Sequence, residues 1–143
     1  MRELISERNI QIMKRVKDWK ESIKIASQPL LENDYIKSDY ITAMISNIEK
    51  FGFYIVITDK VALPHSRPEN GALKTGLSML KLNKPVMYGD EEVYLILVLS
   101  VKDEKEHIDL LMRISQVFED ESIVKNLLEL NNKEEIINFL SNY

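Results

Sequence analysis

An uninterrupted apolar run over residues 93–99 constrains the fold more than any other segment of this chain. Its sequence, Val-Tyr-Leu-Ile-Leu-Val-Leu, lacks the polar–apolar alternation of a strand with one face in water. Such a strand needs apolar layers against both of its faces. The polar residues Gly-Asp-Glu-Glu at 89–92 come directly before it and indicate a turn. We therefore expect a central β-strand that is covered on both sides.

Two helices are expected before this strand. Asp18 and Glu21 form a capping-box pattern, and apolar residues then recur at helical spacing, with Pro29 expected to kink the helix near its end. The second helix should begin at Ser38 and end at Gly52, a residue type that suits the left-handed position after a helix. Both helices are amphipathic, so each predicts an apolar stripe packed against a sheet.

Three further helices are expected after the central strand. Asp103 and Glu106 form another capping box, and shorter helices are predicted over residues 122–130 and 133–140. Further strands are predicted over residues 53–57 and 73–82, and in the apolar segment that ends at His65. Together these elements predict an α/β fold, a mixed β-sheet flanked by helices on both faces, with residues 1–143 forming a single domain.

Composition excludes several classes of protein. The chain has 143 residues with 45% hydrophobic content, enough for one core, and it has no cysteine, so disulfides and thiolate chemistry are excluded. The net charge is −4, and the densest basic cluster is interspersed with acids, so no nucleic-acid partner is expected. That cluster comprises Lys14, Arg15, Lys17, Lys20 and Lys24. With no signal segment and no long apolar run, a cytoplasmic location is expected.

The segment Val-Ala-Leu-Pro-His-Ser-Arg-Pro at 61–68 is the strongest candidate for a functional site. It holds His65, one of only two histidines, directly after Pro64 at the end of an apolar run. Proline lacks an amide hydrogen and biases the preceding residue toward extended geometry, so the strand should stop at the histidine. We expect His65 to lie at an edge of the sheet and to face solvent.

The second histidine, His107, falls in the first turn of the helix predicted after Asp103, on its inward stripe. If the strands that end at His65 and near Val101 are parallel, both histidines lie at the carboxyl ends of strands, where open α/β sheets place their sites. Free amides at a helix start favour an anion, and a neutral imidazole is a competent nucleophile. This combination suggests phosphohistidine chemistry.

Other interpretations of these residues stay open at this stage. His65 fits an ordinary loop histidine, His107 fits a buried, hydrogen-bonded one, and Arg67 fits a surface charge. A two-histidine metal site with Asp103 or Asp59 lacks the usual ligand spacing, so no metal is predicted. A non-catalytic α/β binding domain with incidental histidines also fits the sequence.

Several segments together resemble the enzyme IIA component of the bacterial phosphoenolpyruvate-dependent sugar phosphotransferase system, of the mannitol/fructose structural type. These segments are residues 18–21, 40–48, 52–57, 62–69, 76–78, 84–86 and 106–108. The sequence Ser66-Arg67-Pro68 after the histidine is similar to the ascorbate-type branch. The resemblance covers nearly the whole chain and implies the same mixed sheet between helices.

The resemblance implies a phosphotransferase that works through a phosphohistidine and needs no cofactor. His65 would accept a phosphoryl group from the phosphocarrier protein HPr and pass it to a cysteine of a IIB component, which serves the membrane IIC component. His107 would orient or stabilise the phosphorylated ring. Mannitol-type members have an arginine sixteen residues before the histidine, where this chain has Glu49. Arg67, Ser66 or Lys50 would then bind the phosphate.

Two functions from different classes follow from the resemblance. The first is a carrier that feeds sugar uptake, with ascorbate or a related compound as the transported substrate. The second is a regulatory module of the same fold, which senses phosphotransferase flux and controls a partner by binding. Glu49 in place of arginine keeps the second function open as an alternative.

Overall fold

The apolar run at 93–99 lies within the middle strand of a five-stranded mixed sheet. The computed structural model describes all residues from 1 to 143. The strands are β1 (Ile10–Met13), β2 (Val56–Thr58), β3 (Lys60–Ala62), β4 (Gly76–Tyr88) and β5 (Glu91–Ser100). Their order across the sheet is β1-β4-β5-β3-β2, with β1–β4 and β3–β5 parallel and the other two pairs antiparallel. The prediction of a mixed sheet with this strand at its centre is confirmed.

Five helices cover the two faces of the sheet, as predicted. They are α1 (Trp19–Glu32), α2 (Ser38–Phe51), α3 (Glu104–Phe118), α4 (Glu121–Glu129) and α5 (Lys133–Leu140). Leu95 and Leu97 of β5 pack into the core beneath α3, α4 and α5, whereas Ile96 and Val98 pack into the core beneath α1 and α2. Alternate residues of one strand therefore serve two separate cores, which explains the uninterrupted apolar sequence. None of the five helices is both long enough and apolar enough to cross a membrane.

The predicted helix ends are largely confirmed. Asp18 accepts a hydrogen bond from the Glu21 amide (2.9 Å) at the start of α1. Asp103 accepts from the Lys105 amide (2.8 Å) at the start of α3, but Glu106 gives no reciprocal bond, so that capping box is only half formed. Gly52 ends α2 with a φ of +88°, a conformation that favours glycine.

The strand expected over residues 53–57 is wrong at its start, because β2 begins only at Val56. The preceding residues form a turn in which the Val56 amide donates to the Phe53 carbonyl (3.1 Å). Phe53 packs against the rings of Trp19 and Tyr88, at centroid distances of 5.4 and 5.8 Å. Phe53 thus contributes to tertiary packing and is not paired in a strand.

Two other strand predictions also need correction. The strand expected over residues 73–82 begins at Gly76 and continues to Tyr88, with its pairing interrupted between Lys81 and Val86. Pro85 lies in that interruption, where it has no amide hydrogen to donate. Strand β1 was not expected at all, because four residues at the edge of a sheet give little periodic signal.

Helix α1 contains Pro29 and continues past it for one turn, to Glu32. Proline has no N–H for the carbonyl of Ile25, four residues earlier. The Gln11 side chain supplies the missing donor, because its Nε2 group donates to that carbonyl at 2.7 Å. The edge strand β1 thus satisfies the polar group that the proline leaves free.

We expect Gln11→Ala to destabilise the protein by about 1–2 kcal/mol, because it leaves the Ile25 carbonyl without a donor. In a Pro29→Ala background the helix supplies its own N–H, so the same Gln11→Ala change should cost clearly less. Urea unfolding of the wild type, both single variants and the double variant measures this difference. An equal cost in both backgrounds would contradict the role assigned to Gln11.

Candidate active site

The parallel pairing of β3 with β5 brings the ends of these strands together at one end of the sheet. Beyond β3 the pairing continues, since the Leu63 amide donates to the Ile55 carbonyl (2.7 Å) and the Leu99 amide donates to the Pro64 carbonyl (3.1 Å). His65 is therefore the first residue to leave the sheet. It lies partly buried at this end rather than fully facing solvent, and β3 is an inner strand.

The loop that follows His65 is held by Tyr40 of α2. The buried Tyr40 hydroxyl donates to the Leu99 carbonyl (2.6 Å) and accepts from the Ser66 amide (3.0 Å). Burial raises the pKa of Tyr40, so this hydroxyl stays protonated. The Ser66 hydroxyl in turn donates to Asn70 Oδ1 (2.8 Å) and accepts from Asn47 Nδ2 (3.2 Å). These bonds fix the loop against both β5 and α2.

The two histidines meet at this end of the sheet. Their ring centroids are 5.6 Å apart, with an angle of 56° between the ring planes. Both line a surface cavity of about 420 Å³. Seven further residues line it: Asn47, Phe51, Tyr54, Ser66, Arg67, Glu69 and Asn70. A second cavity of about 470 Å³ lies against Phe118 and Val124, but no histidine lines it, so we assign the chemistry to the first.

The His65 ring has a defined tautomer. Its Nδ1 atom lies 2.7 Å from the Leu63 carbonyl oxygen. A carbonyl oxygen only accepts, so Nδ1 must hold the hydrogen, and the neutral ring then has its lone pair at Nε2. The remaining nitrogen, Nε2, is therefore the nucleophilic atom of this residue.

Burial lowers the pKa of His65 below its ordinary value of 6.5, with an opposing effect of the Leu63 carbonyl and a smaller lowering by His107. Burial also lowers the pKa of His107, against the raising effects of Glu104 and Glu69. Both rings are thus neutral near pH 7. Neutrality keeps the His65 lone pair available for bonding to an electrophile.

His107 is not the hydrogen-bonded core histidine that one sequence interpretation allowed. Its residue is only partly buried, and its Nδ1 atom is buried without a hydrogen-bond partner. A buried polar atom without a partner is uncommon in proteins. His107 therefore has hydrogen-bonding capacity that no protein group uses.

The three predicted phosphate-binding residues differ in whether they line the cavity and in what their side chains already contact. Arg67 lines the cavity, but its side chain is 81% exposed and lies 4.0 Å from a Glu69 carboxylate oxygen. Ser66 lines the cavity, although its single hydroxyl hydrogen is already donated to Asn70. Lys50 is exposed and does not line the cavity; its Nζ lies 5.4 Å from the centroid of the Phe51 ring.

Glu49, which stands at the position of the mannitol-type arginine, points to a different part of the molecule. Its carboxylate forms an ion pair with Lys20 of α1 at 2.9 Å, and it does not line the cavity. The negative charge of Glu49 therefore does not face the cavity, where it would repel a phosphoryl group.

Sequence reasoning did not single out several residues that line or support this site, among them Phe51 and Asn70. Tyr54 packs edge-to-face on the His65 ring, with centroids 6.0 Å apart. Tyr40 and Asn47 reach the histidine loop from α2. For Asn47 a signal was available, because Asn47 and Phe51 are one helical turn apart and so share a face of α2. The contacts of the two tyrosines depend on tertiary packing that the sequence does not specify locally.

A cavity at the carboxyl ends of parallel strands, with a neutral nucleophilic imidazole and a second imidazole beside it, defines a phosphoryl-carrier class of α/β protein. The sequence matches the family "Phosphoenolpyruvate-dependent sugar phosphotransferase system, EIIA 2" over residues 3–143. The chain therefore belongs to this family of IIA components. Members of the family are phosphotransferases that act through a phosphohistidine, so the resemblance noted in the sequence is confirmed.

Individual relatives agree with this assignment. The chain is 34% identical over 137 residues to the mannitol-specific cryptic phosphotransferase enzyme IIA component of Escherichia coli, covering 94% of this chain and 93% of that one. The solution structure of that component has a TM-score of 0.91 to this chain, at 33% identity and full coverage of both. An ascorbate-specific EIIA component of Salmonella typhimurium is 30% identical over 145 residues, covering 98% of this chain and 94% of that one.

A more distant structure shares the fold. It is a complex of the mannitol enzyme IIA of Escherichia coli with its phosphorylated enzyme IIB. The TM-score is 0.85 at 21% identity, with 97% of this chain and 98% of that chain covered. At this identity the likeness concerns the fold alone.

We expect the His65 imidazole to titrate with a midpoint below 6.5, because its folded-state pKa is lowered. The neutral form dominates above that midpoint, so phosphoryl acceptance should persist below pH 6.5 and fall only as His65 becomes protonated. In His107→Gln the midpoint should rise, because the smaller Coulombic lowering of the His65 pKa, which His107 exerts when it too becomes protonated, is removed. An NMR titration of the ring C–H resonances measures both values. A wild-type midpoint above 6.5 would contradict the assignment of burial as the dominant effect on this ring.

Proposed function

We propose that this protein is a phosphocarrier that accepts a phosphoryl group from HPr on His65 and passes it to a cysteine of a IIB component. The observation that supports this most directly is the 2.7 Å contact between His65 Nδ1 and the Leu63 carbonyl, which leaves the lone pair at Nε2. This lone pair forms the new N–P bond while the N–P bond of the donor phosphohistidine breaks. The electron pair of the broken bond returns to the donor ring.

In the onward step His65 becomes the phosphoryl donor and the IIB cysteine becomes the acceptor. A thiolate of the IIB cysteine forms the S–P bond, and the electron pair of the His65 N–P bond returns to Nε2. The Leu63 carbonyl holds the ring in one orientation through both steps, so little reorganisation is needed between them. His107, 5.6 Å away between centroids, would support the phosphoryl group without forming a bond to it.

The proposal gives different roles to the predicted phosphate-binding residues. Arg67 would bind the phosphoryl oxygens after leaving Glu69, since its exposed side chain is free to move. Ser66 would act mainly by holding the loop, because its hydroxyl hydrogen is committed. Lys50 would contribute only from outside the cavity, and its participation stays a prediction.

Exposed apolar side chains around the cavity support docking of a protein partner. Phe51, Tyr54, Ile108 and Met112 have exposed fractions between 48 and 67%. The first two line the cavity, and Ile108 follows His107 directly on α3. Small transient interfaces depend on a few apolar anchors within a charged rim, and such residues provide them. Phe51 belongs to α2, Tyr54 precedes β2, and Ile108 and Met112 belong to α3.

The transported compound is proposed to be ascorbate or a related substrate, on the basis of the Ser66-Arg67-Pro68 sequence. The carrier handles only the phosphoryl group, so identity of the substrate lies with its IIB acceptor and, indirectly, with the membrane IIC component. This role places the protein in the cytoplasm and requires no nucleic acid. Transfer rates to IIB components of the ascorbate and mannitol systems would distinguish the two assignments.

Incubation with phosphoenolpyruvate, enzyme I and HPr should add one phosphoryl group per chain, and His65→Ala should abolish it. His107→Ala should still accept the group but transfer it more slowly, because the supporting ring is lost. Intact-mass spectrometry and a timed transfer assay measure these outcomes. If the wild type takes up no phosphoryl group, or His65→Ala is still phosphorylated, this proposal is wrong.

A regulatory module is the second candidate, and it differs in what happens after phosphorylation. A carrier delivers its phosphoryl group to a IIB cysteine at a useful rate, whereas a regulator retains it and changes its affinity for a partner. Glu49 in place of arginine kept this candidate open, but the Glu49 carboxylate forms its ion pair with Lys20 and does not line the cavity. Rapid transfer to a IIB protein in a quench assay would support the carrier, and retention would support the regulator.

A further inference from the structure

The cavity around His65 contains fewer cationic donors than a phosphoryl group usually meets. Phosphoryl oxygens need several hydrogen-bond donors when they are bound at an imidazole. Of the candidate cations, Arg67 is 81% exposed and faces Glu69, while Lys50 does not line the cavity. Donors that are already positioned must therefore be sought among the neutral residues of the lining.

Asn70 provides the clearest such donor. Its Oδ1 accepts the hydroxyl hydrogen of Ser66 at 2.8 Å, which fixes the orientation of the side-chain amide. The other end of the amide, Nδ2, has two hydrogens, and it makes no hydrogen bond within the protein. Asn70 lines the same cavity as His65 and closes the short 3-10 helix Pro68–Asn70, so the backbone beneath it is structured.

Asn47 provides a second donor from the opposite wall, on α2. Its Nδ2 donates one hydrogen to the Ser66 hydroxyl at 3.2 Å, and the other hydrogen has no partner within the protein. A hydroxyl has only one hydrogen, and Ser66 gives it to Asn70, so the chain of bonds runs in a single direction from Asn47 through Ser66 to Asn70. This direction leaves both Nδ2 hydrogens of Asn70 and one Nδ2 hydrogen of Asn47 without a partner in the protein.

We propose that the side-chain amides of Asn70 and Asn47 bind oxygens of the phosphoryl group on His65. The proposal rests on the carrier function of His65 and adds two binding residues to it. Ser66 then acts as the positioning residue that orients both amides. It is itself buried and held by Tyr40, so the amides are preorganised before the phosphoryl group arrives.

Neutral donors suit a group that must be passed on. A fixed cation would stabilise the phosphohistidine strongly and slow its onward transfer, whereas hydrogen bonds from neutral amides stabilise the dianion less. The exposed Arg67 can still approach when a partner protein excludes water. Phosphate binding would therefore be shared between two fixed neutral donors, the Asn amides, and one mobile cation, Arg67.

The decisive variant is Asn70→Asp. An aspartate keeps the oxygen that accepts from Ser66 but replaces the donor nitrogen by a second, negatively charged oxygen. We expect the rate of phosphoryl acceptance from HPr to fall at least about 10-fold, as for loss of one hydrogen bond to a charged group. Asn138→Asp is the matched control. Asn138 is an exposed residue of α5 outside the cavity, so this substitution adds the same negative charge away from His65.

A second measurement uses the unaltered protein and so does not depend on how the variant folds. In ¹⁵N-labelled wild type, phosphorylation of His65 should shift the side-chain NH₂ resonances of Asn70 and Asn47 and leave that of Asn138 unchanged. Urea unfolding of Asn70→Asp shows whether its rate reflects a folded protein. A folded Asn70→Asp that accepts at the wild-type rate would overturn the proposal.

The outcomes separate this inference from the function on which it rests. A wild type that is never phosphorylated overturns both. A wild type that is phosphorylated, with the Asn70 and Asn47 NH₂ resonances unmoved, overturns only the amide site. Loss of acceptance in Arg67→Ala together with normal acceptance in Asn70→Asp would also overturn it, because the cation would then be the main ligand.

Discussion

The register of β3 against β5 is the constraint on which the site depends. Because these strands are parallel, the residue that leaves β3 and the helix that follows β5 start from the same end of the sheet. The Leu99 amide, bonded to the Pro64 carbonyl, fixes how far the pairing continues, and the Tyr40 hydroxyl adds a bond to the Leu99 carbonyl. A shift of one residue in this register would turn His65 to the other face of the sheet.

The chemical character of the site follows from burial and from hydrogen bonds rather than from charge. Burial holds the pKa of both imidazoles below the ordinary value, so the rings stay neutral. One carbonyl then selects the tautomer of His65, and this single bond decides which nitrogen can attack phosphorus. In the proposed scheme neither a metal nor a cofactor takes part, because Nε2 of the neutral His65 ring has a lone pair and is itself the nucleophile.

The sequence predicted the parts of this molecule that are coded locally. The run at 93–99, the cap at Asp18 and the glycine after α2 are each contained within a few neighbouring residues, and all three are confirmed. The meeting of His65 and His107 was predicted by a topological rule, and the parallel strands satisfy it. Local signals were sufficient there because each histidine follows a strand end.

Other features could not be predicted, because they depend on which distant residues pack together. Strand β1 exists only through its pairing with β4, and Phe53 leaves its expected strand to fill a space beside Trp19. Which residues of α2 face the site depends instead on the rotation of the helix. A helix turns about 100° per residue, so Asn47 faces the histidine loop while Glu49 faces α1.

That rotation changes what the missing arginine means. Replacing a cation by Glu49 would oppose a phosphoryl group only if the side chain entered the cavity, and here Lys20 neutralises it elsewhere. The wall of α2 that does face His65 presents an amide and an aromatic ring, Asn47 and Phe51. The site has therefore not lost its means of binding an oxyanion. In the proposed amide site the oxyanion meets oriented neutral dipoles, which bind less strongly than a fixed cation and so would favour transfer over retention.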